Sequence, residues 1–323
     1  MRVILLLWLA WFVLMGAPAA AQAPEQPISV MEELVVRGEV EGPRVWRVYN
    51  GENELVILGA LSPLPKGVTW RSQSVETLIG DADLVMPDTI AIAFPELGPI
   101  KTVGLLLELR KQSRNEEKAK LREVLPPDLY ARYAALRAKY GKGDNTWEKL
   151  RPLAAGGQLV QEAYEDSGVR TFGLSNEVRK IAQKKKRPWE QTRIEFRGDV
   201  KAAIREADAN SAETELACFR EMLDGVERDL PLLRQRADAW ARGEVARLRS
   251  LPRPARQASC LAVLQGSKEF ADLIDQGRAK LLQRLDEALA KNRSTFLVAD
   301  IDSLLHGNLL KDLAAKGYRI EGP

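Results

Sequence analysis

The side chains near the carboxyl terminus that are best suited to metal or acid–base chemistry are Asp302 and His306. They are four residues apart, so they would share one face of a helix that begins early enough, where a carboxylate and an imidazole can hold a divalent metal. The alternative is that Asp302-Ser303 caps the helix and that His306 is an ordinary residue of its first turn. The pattern favours the cap.

A second position for chemistry is the loop from Gly59 to Ser62, which follows a predicted β-hairpin over residues 43–65. Apolar residues alternate with period 2 on both sides of Asn50-Gly51, a pair typical of tight turns. Ligands of α/β proteins usually bind where such strands end. Ser62 as a nucleophile is the weaker hypothesis, because Ser62-Pro63 is a common turn pair and no histidine is placed near it by the sequence.

The elements that would position these residues indicate an α/β protein of the α+β kind. Strand-like runs and short helices occur at both ends of the chain, over residues 43–100 and 292–323, whereas residues 103–291 have mainly helical periodicity. We therefore expect a single domain over residues 43–323. Its mixed central sheet would be formed by the two ends, with a large helical insertion packed over it.

The two ends resemble the TraB/GumN family, which includes the Tiki membrane metalloproteases and has a fold related to erythromycin-esterase and ChaN-like proteins. The similarity lies in VWRV, VILGALSPLP and ADLVMPD near the amino terminus, and in QGR, TFLVADID, LLKDL and GYRI near the carboxyl terminus. It implies a metal-dependent hydrolase or peptidase, whose two G-x-x-H histidines and glutamate bind manganese or cobalt. Both G-x-x-H motifs are degenerate in this sequence.

The resemblance places five residues of this chain at the family's site positions: Gly59, Ser62, Asp88, Gln276 and Asp302. Ser62 and Asp302 stand where the two histidines are expected, Asp88 where the glutamate is expected, and Gln276 where an arginine is expected. A hydroxyl is a poor ligand for these metals, so we expect neither a metal nor another cofactor. The alternative is a rebuilt manganese, cobalt or zinc site of Asp88, Asp302 and His306.

The amino terminus predicts export. Arg2 precedes an apolar run over residues 3–15, and small residues at 19–21 suggest cleavage of a signal peptide near Ala21. Residues 22–42 would then form a leader of the mature protein, which would be periplasmic or secreted. A retained membrane anchor is the alternative. In an oxidising compartment Cys218 and Cys260 favour a disulfide, with a nucleophilic cysteine paired to His306 as the alternative.

Composition narrows the class of partner. The chain has 48 basic and 45 acidic residues, which argues against nucleic-acid or anionic-membrane binding, because both depend on clustered positive charge. We expect no membrane span after signal cleavage and an unknown protein or peptide as the partner. The leading interpretation is a binding or scaffolding pseudoenzyme. The alternatives are a hydrolase with the rebuilt site and a helical interaction module that uses Trp147, Trp189 and Trp240.

Overall fold

The structure is a computed structural model that describes residues 42–143, 146–171, 173–208, 212–252 and 258–323. The predicted signal peptide and nearly all of the predicted leader lie outside the described residues. Among the described residues, no helix combines the length and the apolar character needed to cross a bilayer.

The centre of the fold is a five-stranded mixed sheet, in the order β4-β8-β2-β1-β9. Strands β1 and β2 form the expected antiparallel hairpin, with Asn50 opposite Asn53. The strands are β1 Val45–Asn50, β2 Asn53–Ala60, β3 Leu64–Pro65, β4 Leu84–Pro87, β5 Ile90–Ala93, β6 Val169–Arg170, β7 Thr192–Glu195, β8 Ser294–Asp300 and β9 Arg319–Glu321. The prediction of a mixed sheet built from both ends of the chain is confirmed.

Three neighbouring strands of the sheet run parallel and end at the same edge. Strand β8 lies between β2 and β4, with Ala60 opposite Asp300 and Pro87 opposite Val298. The loops that leave β2, β4 and β8 therefore emerge side by side. Because sequence neighbours often pair, the order of the chain suggests that β2 and β4 are adjacent, but β8 separates them.

Helices surround this sheet and make up most of the chain between β4 and β8. They are α1 Gln73–Asp81, α2 Pro99–Gln112, α3 Leu121–Val124, α4 Pro127–Tyr140, α5 Pro152–Asp166, α6 Gly173–Lys184, α7 Val200–Asp208, α8 Ala212–Asp224, α9 Leu230–Ala241, α10 Val245–Ser250, α11 Ala258–Gln265, α12 Lys268–Lys291, α13 Ile301–His306 and α14 Leu309–Ala315. A π-helical turn over Gly225–Asp229 continues α8 into α9.

Three features of these elements are not set by local periodicity alone. The helical periodicity over residues 231–249 is divided at Gly243, whose positive φ of 69° ends the run. The helical periodicity over residues 304–316 is divided into α13 and α14 at Gly307. Strand β5 directly follows β4 in the chain, which suggests a place beside it in the main sheet. Instead, β5 pairs with β7 in a separate two-stranded sheet.

The helical layer is closed by its own apolar cluster and by a disulfide. Tyr133, Phe219 and Leu159 are buried in that cluster, and Trp147 packs against it. A disulfide joins Cys218 of α8 to Cys260 of α11, closing a loop with a sequence separation of 42 residues. Constraining an unfolded loop of that length contributes about 4 kcal/mol by the chain-entropy argument.

The three tryptophans of the interaction-module hypothesis lie in or against the interior. Trp240 is buried in the core of the main sheet, Trp189 packs against the same core, and Trp147 packs against the helical cluster. Their indole rings therefore contribute to packing.

Candidate functional site

The end of β2 is tightly enclosed by the helical layer. A Cβ atom added to Gly59 would lie 2.3 Å from Cδ1 of Ile301 and 3.0 Å from the ring of Trp46, so only glycine fits. The carbonyl oxygen of Gly59 accepts a buried hydrogen bond of 2.6 Å from Nε1 of Trp240 on α9. The loop after β2 is thus fixed to the sheet on one side and to α9 on the other.

Ser62, two residues after β2, is exposed at this edge. Its hydroxyl donates a hydrogen bond to the carbonyl oxygen of Thr171, in the loop before α6. The arrangement joins the β2 loop to the helical layer. Because the hydroxyl proton of Ser62 is bonded to a backbone oxygen, the side chain has a structural role.

Asp88 follows β4 and reaches across to the end of β8. Its backbone N–H donates to the carbonyl of Val298 at 2.8 Å, and its carboxylate accepts from the backbone N–H of Asp300 at 2.8 Å. Burial raises the pKa of Asp88 to about 6, while the hydrogen bond from Asp300 opposes the rise and the charge of Asp300 adds to it. A carboxyl group with this pKa exchanges protons near neutral pH.

The cap of α13 is Asp300, which corrects the prediction of a cap at Asp302-Ser303. The carboxylate of Asp300 accepts a hydrogen bond of 2.8 Å from the backbone N–H of Ser303, and α13 begins directly afterwards at Ile301. Burial raises the pKa of Asp300, and the nearby charge of Asp302 contributes to the same direction. The cap lies two residues earlier than predicted because the strand and the helix follow each other without a loop.

Asp302 is held by Arg236, an arginine that no motif in the sequence marks. Nη2 of Arg236 lies 2.6 Å from one carboxylate oxygen of Asp302 and 2.7 Å from the other. The Arg236 side chain is 2% exposed, and that of Asp302 is 27% exposed. Arg236 and Trp240 are four residues apart on α9, so one helix face contacts both strand ends.

Two cavities, each of about 180 Å³, lie beside the loop after β2 and share Leu61 and Ser62. The first lies under α9 and contains Arg236 and Asp302, with an apolar wall that includes Leu230 and Leu233. The second contains Asp88 and Asp300. The carboxylates that the sequence suggests for one metal site thus face different cavities.

The other two predicted site residues lie away from these cavities. Gln276 is exposed on α12, and the neighbouring Gly277 packs beneath Ile90 and Ile194 of the second sheet. His306 is half-buried at the end of α13. Neither residue lines the cavity of Asp88 or the cavity of Asp302.

The donor atoms at this edge do not fit the divalent metal that the resemblance implies. Both oxygens of Asp302 contact the guanidinium of Arg236, and one oxygen of Asp88 accepts a backbone hydrogen bond. Within the described ranges, no group of three or more His, Cys, Asp or Glu side chains is arranged to hold a metal ion. A permanently charged guanidinium already compensates the carboxylate that a cation would need.

The fold and this edge define a class: a mixed α/β protein with a polar site at the carboxyl ends of parallel strands, covered by helices. The particular family follows from the sequence, since the family model described as the TraB/PrgY/gumN family matches residues 44–322. The chain therefore belongs to the TraB/PrgY/gumN family. Comparisons with curated proteins and with solved structures found no match.

Proposed function

We propose that this protein is an exported, non-hydrolytic binding protein of the TraB/PrgY/gumN family, whose cleft at the sheet edge takes a protein or peptide partner. The observation that carries the proposal is the ion pair between Arg236 and Asp302. It puts a guanidinium against the residue that the family resemblance aligns with a metal-binding histidine.

A guanidinium beside Asp302 replaces some functions of a metal ion and lacks one. Both are cations that neutralise Asp302 and fix the segment after β8. A metal ion also binds a water molecule and lowers the pKa of that water, which turns it into a nucleophile. A guanidinium has only N–H donors and cannot activate water in this way. The exchange preserves the architecture of the edge and removes the water-activating function.

The shape of the cleft supports a binding role. Leu61 and Ser62 separate the two cavities, so an extended ligand across this loop would place neighbouring groups in each of them. The cavity under α9 combines an apolar wall with the charges of Arg236 and Asp302. Such a mixture suits a short segment of polypeptide, with apolar side chains and polar backbone groups.

Export is part of the proposal. The apolar amino terminus with its small-residue site predicts a cleaved signal peptide, and the disulfide between Cys218 and Cys260 is typical of proteins that mature outside the cytosol. The periplasm or the extracellular space is the compartment that fits both features. Mass measurement of the exported protein tests this directly, because cleavage near Ala21 fixes the mature mass.

Metal binding tests the central claim. We expect calorimetry and metal analysis of the purified protein to show no stoichiometric manganese, cobalt or zinc at micromolar affinity. Arg236→Met should strengthen manganese binding, because it frees the carboxylate of Asp302. Arg278→Met is the matched control, since it frees Asp312 on the surface from a similar 2.7 Å contact. Stoichiometric metal in the wild type would overturn the proposal.

A second candidate function is residual hydrolysis that depends on Asp88 alone, because Asp302 faces the other cavity and His306 lines neither of the two. The pKa of Asp88, raised to about 6 by burial, is the observation that favours it, since such a group serves as a general acid or base. Peptide hydrolysis by the wild type that is lost in Asp88→Asn and kept in His306→Gln would establish this function. We expect no hydrolysis with or without added manganese, cobalt or zinc.

A further inference from the structure

Helix α2 presents an apolar stripe to solvent. Ile100 is 89% exposed, Val103 58%, Leu106 60% and Leu107 64%, whereas Leu105 on the opposite side is buried. Positions 100, 103 and 107 follow the i, i+3, i+7 spacing of a single helix face. An ordinary surface helix turns such a face inward, so the outer face of α2 has the composition of a covered surface.

The two ends of this stripe carry charges of opposite sign. Glu96 is exposed in the turn just before α2, and Arg110 and Lys111 are exposed in its last turn. Gly104 lies at the middle, where an added Cβ would meet only Nζ of Lys201 at 3.8 Å. The stripe therefore has an acidic residue before one end and basic residues at the other, and the ammonium group of Lys201 lies beside its otherwise apolar centre.

We propose that the outer face of α2 binds a second copy of this chain, with the two α2 helices antiparallel about a two-fold axis. An axis between Val103 and Gly104 places Glu96 opposite the partner subunit's Lys111. The same axis places Ile100 opposite the partner subunit's Leu107. A two-fold interface has to be complementary to itself, and the opposite charges at the two ends supply that property.

Surface beside α2 enlarges the contact. A cavity of about 460 Å³ near the beginning of the helix is lined by apolar residues, among them Phe94, Leu97 and Phe196, and by the charged residues Glu96, Lys101, Asp199 and Lys201. Another, of about 290 Å³ near its end, is lined by Leu109, Leu153 and Phe270. A standard interface buries about 800 Å² on each partner, more than the outer face of one helix supplies. The two flanking cavities provide concave surface for the remainder, which is mainly apolar near the end of α2 and mixed apolar and charged near its beginning.

Cross-linking tests the geometry of this dimer. Both cysteines of the chain are in the disulfide, so an introduced cysteine is the only free thiol. In the disulfide-bonded protein, Val103→Cys lies beside the proposed axis and should form an intermolecular disulfide under mild oxidation. Val124→Cys is the control, because it also replaces an exposed apolar residue, on α3. This variant should remain monomeric on a non-reducing gel. Equal cross-linking of the two variants would overturn the proposal.

Sedimentation analysis and a charge exchange test the interaction itself. We expect a concentration-dependent dimer, whose dissociation constant rises on the order of a hundredfold in Val103→Gln/Leu107→Gln, because each dimer loses four apolar contacts. Glu96→Lys should weaken the dimer and Lys111→Glu should weaken it too, while the two changes in one chain should restore it. A protein that is monomeric throughout, or one whose α2 variants lose binding to lipid vesicles instead, would contradict the proposal. These readouts are independent of the metal and hydrolysis assays of the cleft.

Discussion

Nη2 of Arg236 contacts both carboxylate oxygens of Asp302, at 2.6 and 2.7 Å, and so joins α9 to the segment that leaves β8. The pair is asymmetric, because Arg236 is 2% exposed and Asp302 is 27% exposed. Removing one partner therefore has different consequences from removing the other.

We predict that Asp302→Asn destabilises the protein more than Arg236→Met. The first leaves a buried guanidinium uncompensated, at a cost of about 2–4 kcal/mol, whereas the second leaves a carboxylate that water can reach, at about 1–2 kcal/mol. Urea unfolding of both variants measures the difference. The reverse order would show that the cation does not depend on Asp302.

The raised pKa of Asp88 predicts that the stability of the fold depends on pH. Its pKa is about 6 in the folded protein, against an ordinary aspartate value of 3.8, so the folded state binds the proton more tightly than the unfolded chain does. The free-energy cost of burying the charged Asp88 carboxylate is fully present above about pH 6, and it disappears as the pH falls toward 3.8. Asp88→Asn should raise the free energy of unfolding by about 2–3 kcal/mol at pH 7.5, with a smaller gain at pH 4.5.

The control for Asp88 is Asp81→Asn, which removes a charge from an exposed carboxylate at the end of α1. Urea unfolding at pH 7.5, 6.0 and 4.5 should separate the two variants. A gain for Asp88→Asn that stays constant over this range would mean that its carboxyl group does not titrate there.

Gly59 predicts a steric effect at the end of β2. Gly59→Ala should cost about 1–3 kcal/mol, because the new methyl group would lie 2.3 Å from Cδ1 of Ile301. Ile301→Val in the same chain should recover part of this loss by removing that atom. Gly80→Ala in α1, where the nearest atom is a Lys185 side-chain carbon at 3.7 Å, should instead stabilise by about 0.5–1 kcal/mol. Thermal unfolding of the four proteins tests the assignment.

Loss of the disulfide should be costly. Cys218→Ser/Cys260→Ser is expected to lower the free energy of unfolding by about 4 kcal/mol, since the closed loop is long. Wild-type protein unfolded in the presence of a reductant should match the double variant. A variant as stable as the oxidised wild type would show that α8 and α11 are held by their packing alone.

The parts of this fold that the sequence predicts are those with local signals. The hairpin around Asn50-Gly51 and the bounds of α4 and α12 follow from alternation, proline and helical periodicity, which act within a few residues. The positions of β5 and β8 depend on pairing with distant segments. Local alternation carries no information about the partner of a strand, so their neighbours in the sheet are not predictable from it.

The site shows the same limit. Motifs at the ends of strands point to Gly59, Ser62, Asp88 and Asp302, and the structure places all four at one sheet edge. Arg236 carries no such mark, since it lies in a helix rich in arginine whose packing direction is decided by tertiary contacts. Gln276 is indicated by similarity alone, and α12 places its side chain in solvent.

Helix α9 contacts the sheet at two points one turn apart: Trp240 at the end of β2, and Arg236 just beyond the end of β8. Swinging this helix outward would require breaking a buried hydrogen bond and a buried ion pair together. The cleft beneath it is consequently preformed, so in the proposed binding role it would select a ligand by shape without closing around it. Preorganisation of this kind spares a ligand the entropic penalty of ordering the protein, so the proposed peptide partner would need only a short and weakly contacting segment.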